Sequence, residues 1–236
     1  MLYLIGLGLN ENSYNKETER IISEAKAVYL ENYTVDFPYD LQDLENQLNL
    51  KGKIIQVDRG FVEQEMEKLF LESKDSDIVL LIYGSPLMAT THISLINEAK
   101  KSNVKTRVIH NASIFDAVSE TGLQLYKFGK ITSMPDFEAS SYTEVIKENQ
   151  SIQAHTLILV DIGLNFNVAL EKLRKDCENN EVPLTKIVVC SRLGCKNSKV
   201  YYEDISNLKQ KDLEKPFCFI IPGKLHFTEK EFLNEI

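Results

Sequence analysis

Residues 77–83 read DIVLLIY, and the segment after Asp77 is a continuous apolar run. A strand with one solvated face alternates apolar and polar side chains, whereas a strand that is covered on both faces does not. The run is therefore typical of a central strand in a parallel sheet. Such a sheet needs helices on both of its faces, which restricts this chain to the α/β class of folds.

Strand-like and helix-like segments alternate through the first 135 residues, as an α/β fold requires. The predicted strands are 2–7, 26–34, 53–57, 77–83 and 106–110. The predicted helices between and after them are one with Ile21, Ile22, Ala25 and Val28 on a single face, then 41–50, 61–74, 92–102 and one from Ile114 to Thr121. Helices between buried strands predict a mostly parallel sheet.

The pattern loosens between Ser133 and Ala154, a polar stretch with one predicted helix near 143–149. We place the domain boundary in this stretch, which gives domains 1–135 and 136–236. The second domain has a helix with an apolar face from Phe166 to Cys177. Its predicted strands are 155–162, 186–193, 198–205 and 217–223. Little helix separates the last three strands, so the sequence predicts a mixed or antiparallel sheet and two different α/β domains.

The chain is acidic, with a formal net charge of −8, which does not favour a broad nucleic-acid-binding surface. No apolar run approaches the roughly 20 residues that span a bilayer. The N-terminal MLYLIGLGL has neither the basic segment nor the cleavage site of a signal peptide, so we interpret it as a first strand. The four cysteines lack CxxC spacing, which favours free thiols in a reducing cytoplasm. We therefore expect a cytoplasmic protein with no direct nucleic-acid partner and no membrane partner.

Three glycine-containing or polar turns follow predicted strands of the first domain. They are Gly6-Leu7-Gly8, Gly84-Ser85-Pro86 and residues 111–114, which read NASI. Ligands of parallel α/β sheets bind beyond the carboxyl ends of the strands, so we expect all three turns at one ligand-binding edge. Helix capping by Ser113 is an alternative explanation of the third turn.

Other recognisable sites are incomplete in this chain. Gly6 and Gly8 begin a dinucleotide-binding fingerprint, but Glu11 stands where its third glycine should be, and the next helix starts only near 15–18. The four histidines share no metal-ligand spacing, and we interpret them as caps or core-edge residues. No nucleophile elbow, P-loop or HExxH motif occurs. The sequence therefore predicts no metal site, and it identifies no catalytic residue.

Five segments carry a resemblance to a known family. They are IGLGL at 5–9, GSPLMATTH at 84–92, HNASIFDAVSETGLQLYKFGK at 110–130, HTLILVDI at 155–162 and IPGKLH at 221–226. In this order they resemble the diphthine synthase family of tetrapyrrole-methylase-like (class III) methyltransferases. GSPLMATTH and TGLQLYKFGK are the most specific, because neither follows from α/β architecture alone. The resemblance implies the tetrapyrrole methylase fold, with a cofactor cleft between two α/β domains.

The resemblance also implies a function. It implies a homodimer that binds S-adenosylmethionine in a folded conformation and methylates the amino group of a modified histidine of translation elongation factor 2, in diphthamide biosynthesis. Carried over position by position, the cofactor contacts are Leu9, Ser85, Met88, Ser113, Ile114, Val160, Leu193 and Phe217. The family usually has Gly-Asp-Pro where this chain has Gly84-Ser85-Pro86, so a carboxylate that would balance the cationic sulfonium is missing. The expected dimer surface is helix 113–122 with the LQLYKFG that follows it.

Two alternatives stay open at this level. A class III methyltransferase for a small molecule such as a tetrapyrrole would have the same fold. A non-enzymatic binding module that kept the cofactor cleft and lost turnover would also have this fold. Ser85, in place of the usual aspartate, is the feature that would indicate such a module. TGLQLYKFGK and IPGKLH favour the protein-methylating function over the small-molecule one. Whether methylation ends at the amine or continues with an ester on the carboxylate stays open, as does the identity of a general base.

Overall fold

A computed structural model describes residues 1–50 and 52–236, without the side chain of Met66. The described chain divides into two compact units, Met1–Asp116 and Ala117–Ile236. This division lies earlier than the boundary that we expected within 133–154. The reason is that the preceding residues already contact the second unit: Gly122 lies against Phe232, and Lys127 pairs with Glu229. Thr132–Met134 is in addition a strand of this unit, where it pairs with Thr156–Val160. Three residues are too few to show strand alternation in the sequence.

The first unit alternates strands and helices in the predicted order. Its elements are β1 (Leu2–Gly6), α1 (Lys16–Glu24), β2 (Ala27–Glu31), α2 (Leu41–Gln47), β3 (Ile54–Val57), α3 (Arg59–Gln64), α4 (Met66–Asp75), β4 (Ile78–Ile82), α5 (Ile93–Lys101), β5 (Thr106–Ile109) and α6 (Ile114–Ala117). The strand order is β3-β2-β4-β1-β5, and each pair of neighbours is parallel. The predicted parallel sheet is confirmed.

The predicted central strand, β4, lies between β2 and β1 and is buried along its whole length. Its alternate side chains belong to two apolar clusters, Leu80 to one and Leu81 to the other. Leu95 of α5 belongs to the cluster of Leu80, and Ile21 of α1 belongs to the cluster of Leu81. This burial on both faces is the physical reason for the uninterrupted apolar run.

The predicted helix 61–74 is in fact two helices, α3 and α4. The Asp58 carboxylate caps α3 by accepting a hydrogen bond from the backbone N–H of Phe61 at 2.8 Å, so this helix starts earlier than expected. At Glu65 the backbone leaves helical geometry, with φ −107° and ψ 16°. The apolar spacing runs on through this break, which is why the sequence pattern predicts a single helix.

The predicted helix from Ile114 to Thr121 is also interrupted. α6 ends at Ala117, and the chain continues as a 3-10 turn, Val118–Thr121. Gly122 ends this turn with φ 74°, in the left-handed region. A Cβ atom at Gly122 would lie 2.4 Å from the Phe232 ring, so both the backbone conformation and the packing require glycine here.

The second unit has a sheet of a different kind. After 3-10 turns at Val118–Thr121 and Leu125–Lys127, its elements are β6 (Thr132–Met134), α7 (Ser141–Ser151), β7 (Thr156–Val160), α8 (Phe166–Asn179), β8 (Lys186–Ser191), β9 (Lys199–Asp204), α9 (Ile205–Leu208), β10 (Phe217–Ile221) and α10 (Phe227–Leu233). The strand order is β6-β7-β10-β8-β9; β6 runs parallel to β7, and the other neighbours are antiparallel. The predicted mixed sheet is confirmed. The sequence pattern missed β6, α9 and α10, which are short.

The apolar face predicted for α8 forms part of the core of the second unit. Its residues from Phe166 to Cys177 at helical spacing are buried with the strands of the sheet. The ring centroids of Phe166 and Phe217 lie 5.6 Å apart in an edge-on contact. The hydroxyl of buried Tyr142, on α7, donates to Asp176 of α8 at 2.7 Å. This contact fixes the two helices to each other on one face of the sheet.

Candidate functional site

The three turns that we expected at one edge of the first sheet contact one another. Gly8 and Gly84 exchange backbone hydrogen bonds, at 3.1 Å from the N–H of Gly8 and 2.9 Å from the N–H of Gly84. Both have φ in the left-handed region, 73° and 71°. Asn111 joins the third turn to the first, because its Nδ2 donates to the carbonyls of Gly6 at 3.1 Å and Ser13 at 2.9 Å. The predicted convergence of the turns is confirmed.

Residues 84–90 form a tight loop after β4, called here the 84–90 loop. The carbonyl of Pro86 accepts two side-chain hydrogen bonds, from Thr90 Oγ1 at 2.6 Å and from His92 Nδ1 at 3.0 Å. Within the loop Ala89 has φ 55°, a conformation that is unfavourable for a residue with a Cβ atom. Thr90 and His92 therefore hold a strained backbone in place.

The predicted cofactor contacts next to this loop differ in exposure. The Met88 side chain is 49% exposed, whereas Ser85 and Leu9 are buried. The N–H of Met88 donates to the Ser85 carbonyl at 3.1 Å, and the Tyr83 hydroxyl donates to the Leu9 carbonyl at 2.9 Å. These hydrogen bonds bring Leu9, Ser85 and Met88 to the same edge of the sheet.

One residue at this edge, His110, is not among the predicted site residues. Ser85 Oγ lies 3.3 Å from Nδ1 of His110, which directly follows β5 and is exposed. His110, like the other histidines, lacks metal-ligand spacing and was therefore expected to be a cap or a core-edge residue. Its position immediately after a parallel strand was the signal that could have placed it with the three turns.

Ser113 and Ile114, in the third turn, are also predicted cofactor contacts. The Asp116 carboxylate accepts hydrogen bonds from Ser113 N at 2.7 Å and from Ser113 Oγ at 3.0 Å. Ser113 Oγ in turn accepts from the N–H of Phe115 at 3.2 Å. The capping role that we considered for this serine therefore exists. Its hydroxyl keeps a second acceptor lone pair, and Ile114 beside it is partly exposed.

Val160, Leu193 and Phe217 belong to the second unit, and they lie at one end of its sheet. β10 is antiparallel to both β7 and β8, so β10 begins where those two strands end. Phe217, its first residue, pairs with Ser191, the last residue of β8. Val160 is the last residue of β7, and Leu193 follows in the turn after β8. Leu193 and Phe217 are buried, and Val160 is partly buried.

Three of the segments that carry the family resemblance meet in one buried ionic network of the second unit. His155 and Glu229 are both fully buried. The N–H of Gly223 donates to His155 Nδ1 at 2.8 Å, so the other ring nitrogen, Nε2, donates to Glu229 Oε1 at 3.1 Å. Lys127 forms an ion pair with the second oxygen of Glu229. Through Lys127, His155 and Glu229, the network connects TGLQLYKFGK with the residue that precedes β7 and with the segment around IPGKLH.

The charges of this network follow from its contacts. Burial raises the pKa of the Glu229 carboxyl, but hydrogen bonds from Lys127, from the backbone N–H groups of Gln124 and His226, and from His155 outweigh burial and lower this pKa to about 2. Burial also lowers the pKa of His155, more than its hydrogen bond to Glu229 raises it. Glu229 is therefore a carboxylate at neutral pH, and His155 is a neutral imidazole.

The described residues include no group of three or more His, Cys, Asp or Glu side chains that could hold a metal ion. In the described part of the chain, no helix is long and apolar enough to cross a membrane. The first unit offers hydroxyl groups and one imidazole beside apolar side chains and glycine backbone. This combination suits a small organic ligand that is held by its shape and by a few hydrogen bonds.

Comparisons with known proteins identify what the chain is similar to. Residues 1–209 match the family described as Tetrapyrrole (Corrin/Porphyrin) Methylases. A protein of Methanocaldococcus jannaschii named diphthine synthase is 40% identical, over 99% of this chain and 98% of that protein. A diphthine synthase of Methanococcus aeolicus is 39% identical, over 99% of this chain and 97% of its own. A solved crystal structure of diphthine synthase matches 100% of this chain and 95% of its own, with a TM-score of 0.91 and 32% identity.

Proposed function

The chain belongs to the tetrapyrrole methylase family and is a methyltransferase, and from this premise we propose that it acts as a diphthine synthase. In this function it transfers methyl groups from S-adenosylmethionine to the amino group of the modified histidine of translation elongation factor 2, in diphthamide biosynthesis. The observation that carries the proposal is the 40% identity to a diphthine synthase, which extends over 99% of the chain. We further propose a cytoplasmic location and a two-fold homodimer.

The site residues of the first unit fit this cofactor in their chemistry. When bound, S-adenosylmethionine supplies an electrophilic methyl group on a sulfonium sulfur. Leu9, Met88 and Ile114 provide apolar contact area, and Ser85 and Ser113 provide hydroxyl groups. The glycine turns let a ligand approach the backbone closely, because glycine carries no Cβ atom. We assign these five residues to cofactor binding.

We assign three residues of the second unit to cofactor binding as well. Val160, Leu193 and Phe217 are apolar and lie at the same end of their sheet. They would contribute contact area and an aromatic ring, and no charge. The assignment rests on the family resemblance together with this shared position.

Binding and orientation are the tasks of these residues in methyl transfer. The sulfonium is a good leaving group, so the protein needs mainly to align the accepting nitrogen with the methyl carbon and the sulfur. The eight residues assigned to cofactor binding carry no charge, so they contribute contact area and hydrogen bonds. We assign no general base to the chain.

The proposal is tested with purified elongation factor 2 that carries the aminocarboxypropyl-histidine precursor. The enzyme, this substrate and S-adenosylmethionine are combined, and mass spectrometry of the histidine-containing peptide counts the methyl groups and locates them on the amine or the carboxylate. Elongation factor 2 with an unmodified histidine is the control and should remain unmethylated. Methylation of the precursor alone is the expected result.

Other outcomes of this experiment contradict the proposal in distinguishable ways. Transfer to a tetrapyrrole and none to elongation factor 2 would favour the small-molecule methyltransferase. Cofactor binding by calorimetry without transfer to either substrate would favour a module that has lost turnover.

A further inference from the structure

His92, which lies outside the strained 84–90 loop, forms a hydrogen bond with the loop backbone. His92, at the start of α5, is only 1% exposed, and its ring lies beneath the loop. The carbonyl of Pro86 is purely an acceptor, so the contact of 3.0 Å requires His92 to donate from Nδ1. A left-handed alanine in the same loop needs such surrounding contacts to persist.

The other ring nitrogen of His92 faces the end of the neighbouring strand, β2. Nε2 lies 3.5 Å from the Tyr33 hydroxyl and 3.6 Å from Oε2 of Glu31. Burial raises the pKa of Tyr33, and the negative charges of Glu31 and Glu63 raise it further, so the phenol keeps its proton. His92 thereby connects the loop after β4 to the residues that follow β2.

Glu31 is unusual for a carboxylate. It is 0% exposed, at the last position of β2. Oε1 accepts a hydrogen bond from the Thr34 hydroxyl, whereas Oε2 has no hydrogen-bond partner among the described residues. A buried carboxylate oxygen without a donor is costly, and His92 is the group that Oε2 faces within ion-pair distance. Nothing in the methyl transfer itself uses this carboxylate.

From these contacts we infer that His92, backed by the buried carboxylate of Glu31, is a positioning residue that fixes the Pro86 carbonyl and so sets Ser85 and Met88 toward the cofactor. The inference rests on the proposed function, because it assigns the 84–90 loop to cofactor binding. When the ring is neutral, Nε2 accepts from the Tyr33 hydroxyl, and when the ring is protonated, Nε2 donates to the Glu31 carboxylate. In either state the imidazole is oriented to donate from Nδ1, and it keeps the loop in its strained form. Thr90 and His92 are thus part of the binding site without facing the ligand.

The test compares two variants of His92 in the full-length protein. Asparagine can place an amide N–H near the position of Nδ1 and keep the donor to Pro86, whereas leucine keeps the bulk and removes the donor. We expect His92→Leu to weaken binding of S-adenosylhomocysteine about tenfold in calorimetry, and His92→Asn to stay within about threefold of wild type. In turnover, His92→Leu should raise the KM for S-adenosylmethionine more than it lowers kcat.

A second pair of variants tests the same contact with the Pro86 carbonyl without changing His92, in case a His92 variant does not fold. Thr90→Val removes the other donor to the Pro86 carbonyl and should weaken binding several-fold. Thr91→Val is the matched control, because the Thr91 side chain is exposed and its hydroxyl donates instead to Glu63 at 3.3 Å. Circular dichroism spectra equal to wild type are required of all four variants.

The outcomes separate this inference from the proposed function. Wild type that fails to bind S-adenosylhomocysteine overturns both. Wild type that binds, with folded His92→Leu or Thr90→Val binding equally well, overturns the positioning role alone. His92→Asn binding as weakly as His92→Leu also overturns it, since the donor would then not be what matters.

Discussion

His155 Nε2 lies 3.1 Å from Glu229 Oε1, and both side chains are fully buried. The two residues are separated by 74 positions in the chain. Glu229 follows IPGKLH, and His155 begins HTLILV. This hydrogen bond therefore gives a structural role to IPGKLH, which α/β architecture alone does not require. The two segments meet in a network that orders the second unit.

Glu229→Gln should destabilise the second unit in a pH-dependent manner. The carboxyl pKa is lowered from 4.5 to about 2 in the folded protein, so its contribution is fully present above pH 4.5 and is lost as the pH falls towards 2. We expect a loss on the order of 3 kcal/mol at pH 7. Urea unfolding of the variant and of wild type from pH 7 to pH 3 should show their difference narrowing below about pH 4.5. A difference that stays constant over this range would contradict the assignment.

His155 should add to the acid sensitivity of wild type. Its folded-state pKa is lowered from 6.5 by burial, so the unfolded chain takes up a proton at a higher pH than the folded one does. Wild-type stability should therefore already decline below pH 6.5, before Glu229 begins to titrate. The same urea series measures this earlier phase.

Ser85→Asp should restore the charge that this chain lacks relative to its family. We expect the variant to bind S-adenosylmethionine more tightly than wild type by on the order of 1 kcal/mol, with little change for S-adenosylhomocysteine, which has no sulfonium. The contact of Ser85 with His110 at 3.3 Å gives the new carboxylate a partner. Ser85→Asn is the uncharged control. Equal changes for both ligands in calorimetry would show that position 85 does not sense the sulfonium.

Ser113→Trp should abolish cofactor binding while the protein stays folded. The position is buried in the third turn, so an indole there would intrude on the proposed cofactor site. Ser23→Trp, on the exposed side of α1, is the matched control and should bind normally. Calorimetry measures the binding and circular dichroism the fold. Unchanged affinity in a folded Ser113→Trp would remove this residue from the site.

Gly122→Ala should destabilise the second unit by about 2 kcal/mol, from the left-handed backbone and the clash with Phe232 together. Urea denaturation of Gly122→Ala, Phe232→Ala and the double variant separates the two causes. In the Phe232→Ala background the clash with the ring is absent and only Cβ of residue 232, at 3.1 Å, stays close, so the added cost of alanine at position 122 should be smaller. Strictly additive costs would mean that the ring does not restrict this position.

The assembly is predicted to be a dimer. Light scattering at micromolar concentration should give twice the chain mass of 27.0 kDa. In the expected surface, Leu125 and Tyr126 are exposed, whereas Leu123 is buried in its own unit. Tyr126→Glu should therefore shift the protein towards the monomer mass, and Phe137→Glu, at another exposed aromatic residue, should not. A wild-type mass of 27.0 kDa would contradict the dimer.

Local sequence patterns predicted much of the fold because burial leaves a direct record in residue order. The apolar run of β4 indicated a strand covered on both faces, and the spacing on α8 indicated one buried helix face. The turns after β1, β4 and β5 were expected at one edge, since parallel strands all end on the same side. Helix ends were less predictable: the break at Glu65 and the 3-10 turn before Gly122 depend on backbone geometry that apolar spacing does not encode.

Residue order was therefore enough to predict the class of fold, most of its elements and the edge of the sheet where a ligand should bind. Which polar groups meet at this edge became visible only in the folded chain. Ser85 lies against His110, and His92 lies between the Pro86 carbonyl and Glu31, through contacts that join different strands. The apolar periodicity of a helix or strand indicates which of its residues are buried and which are exposed to solvent. The partner of a buried polar group is instead chosen by packing between elements that are distant in the chain.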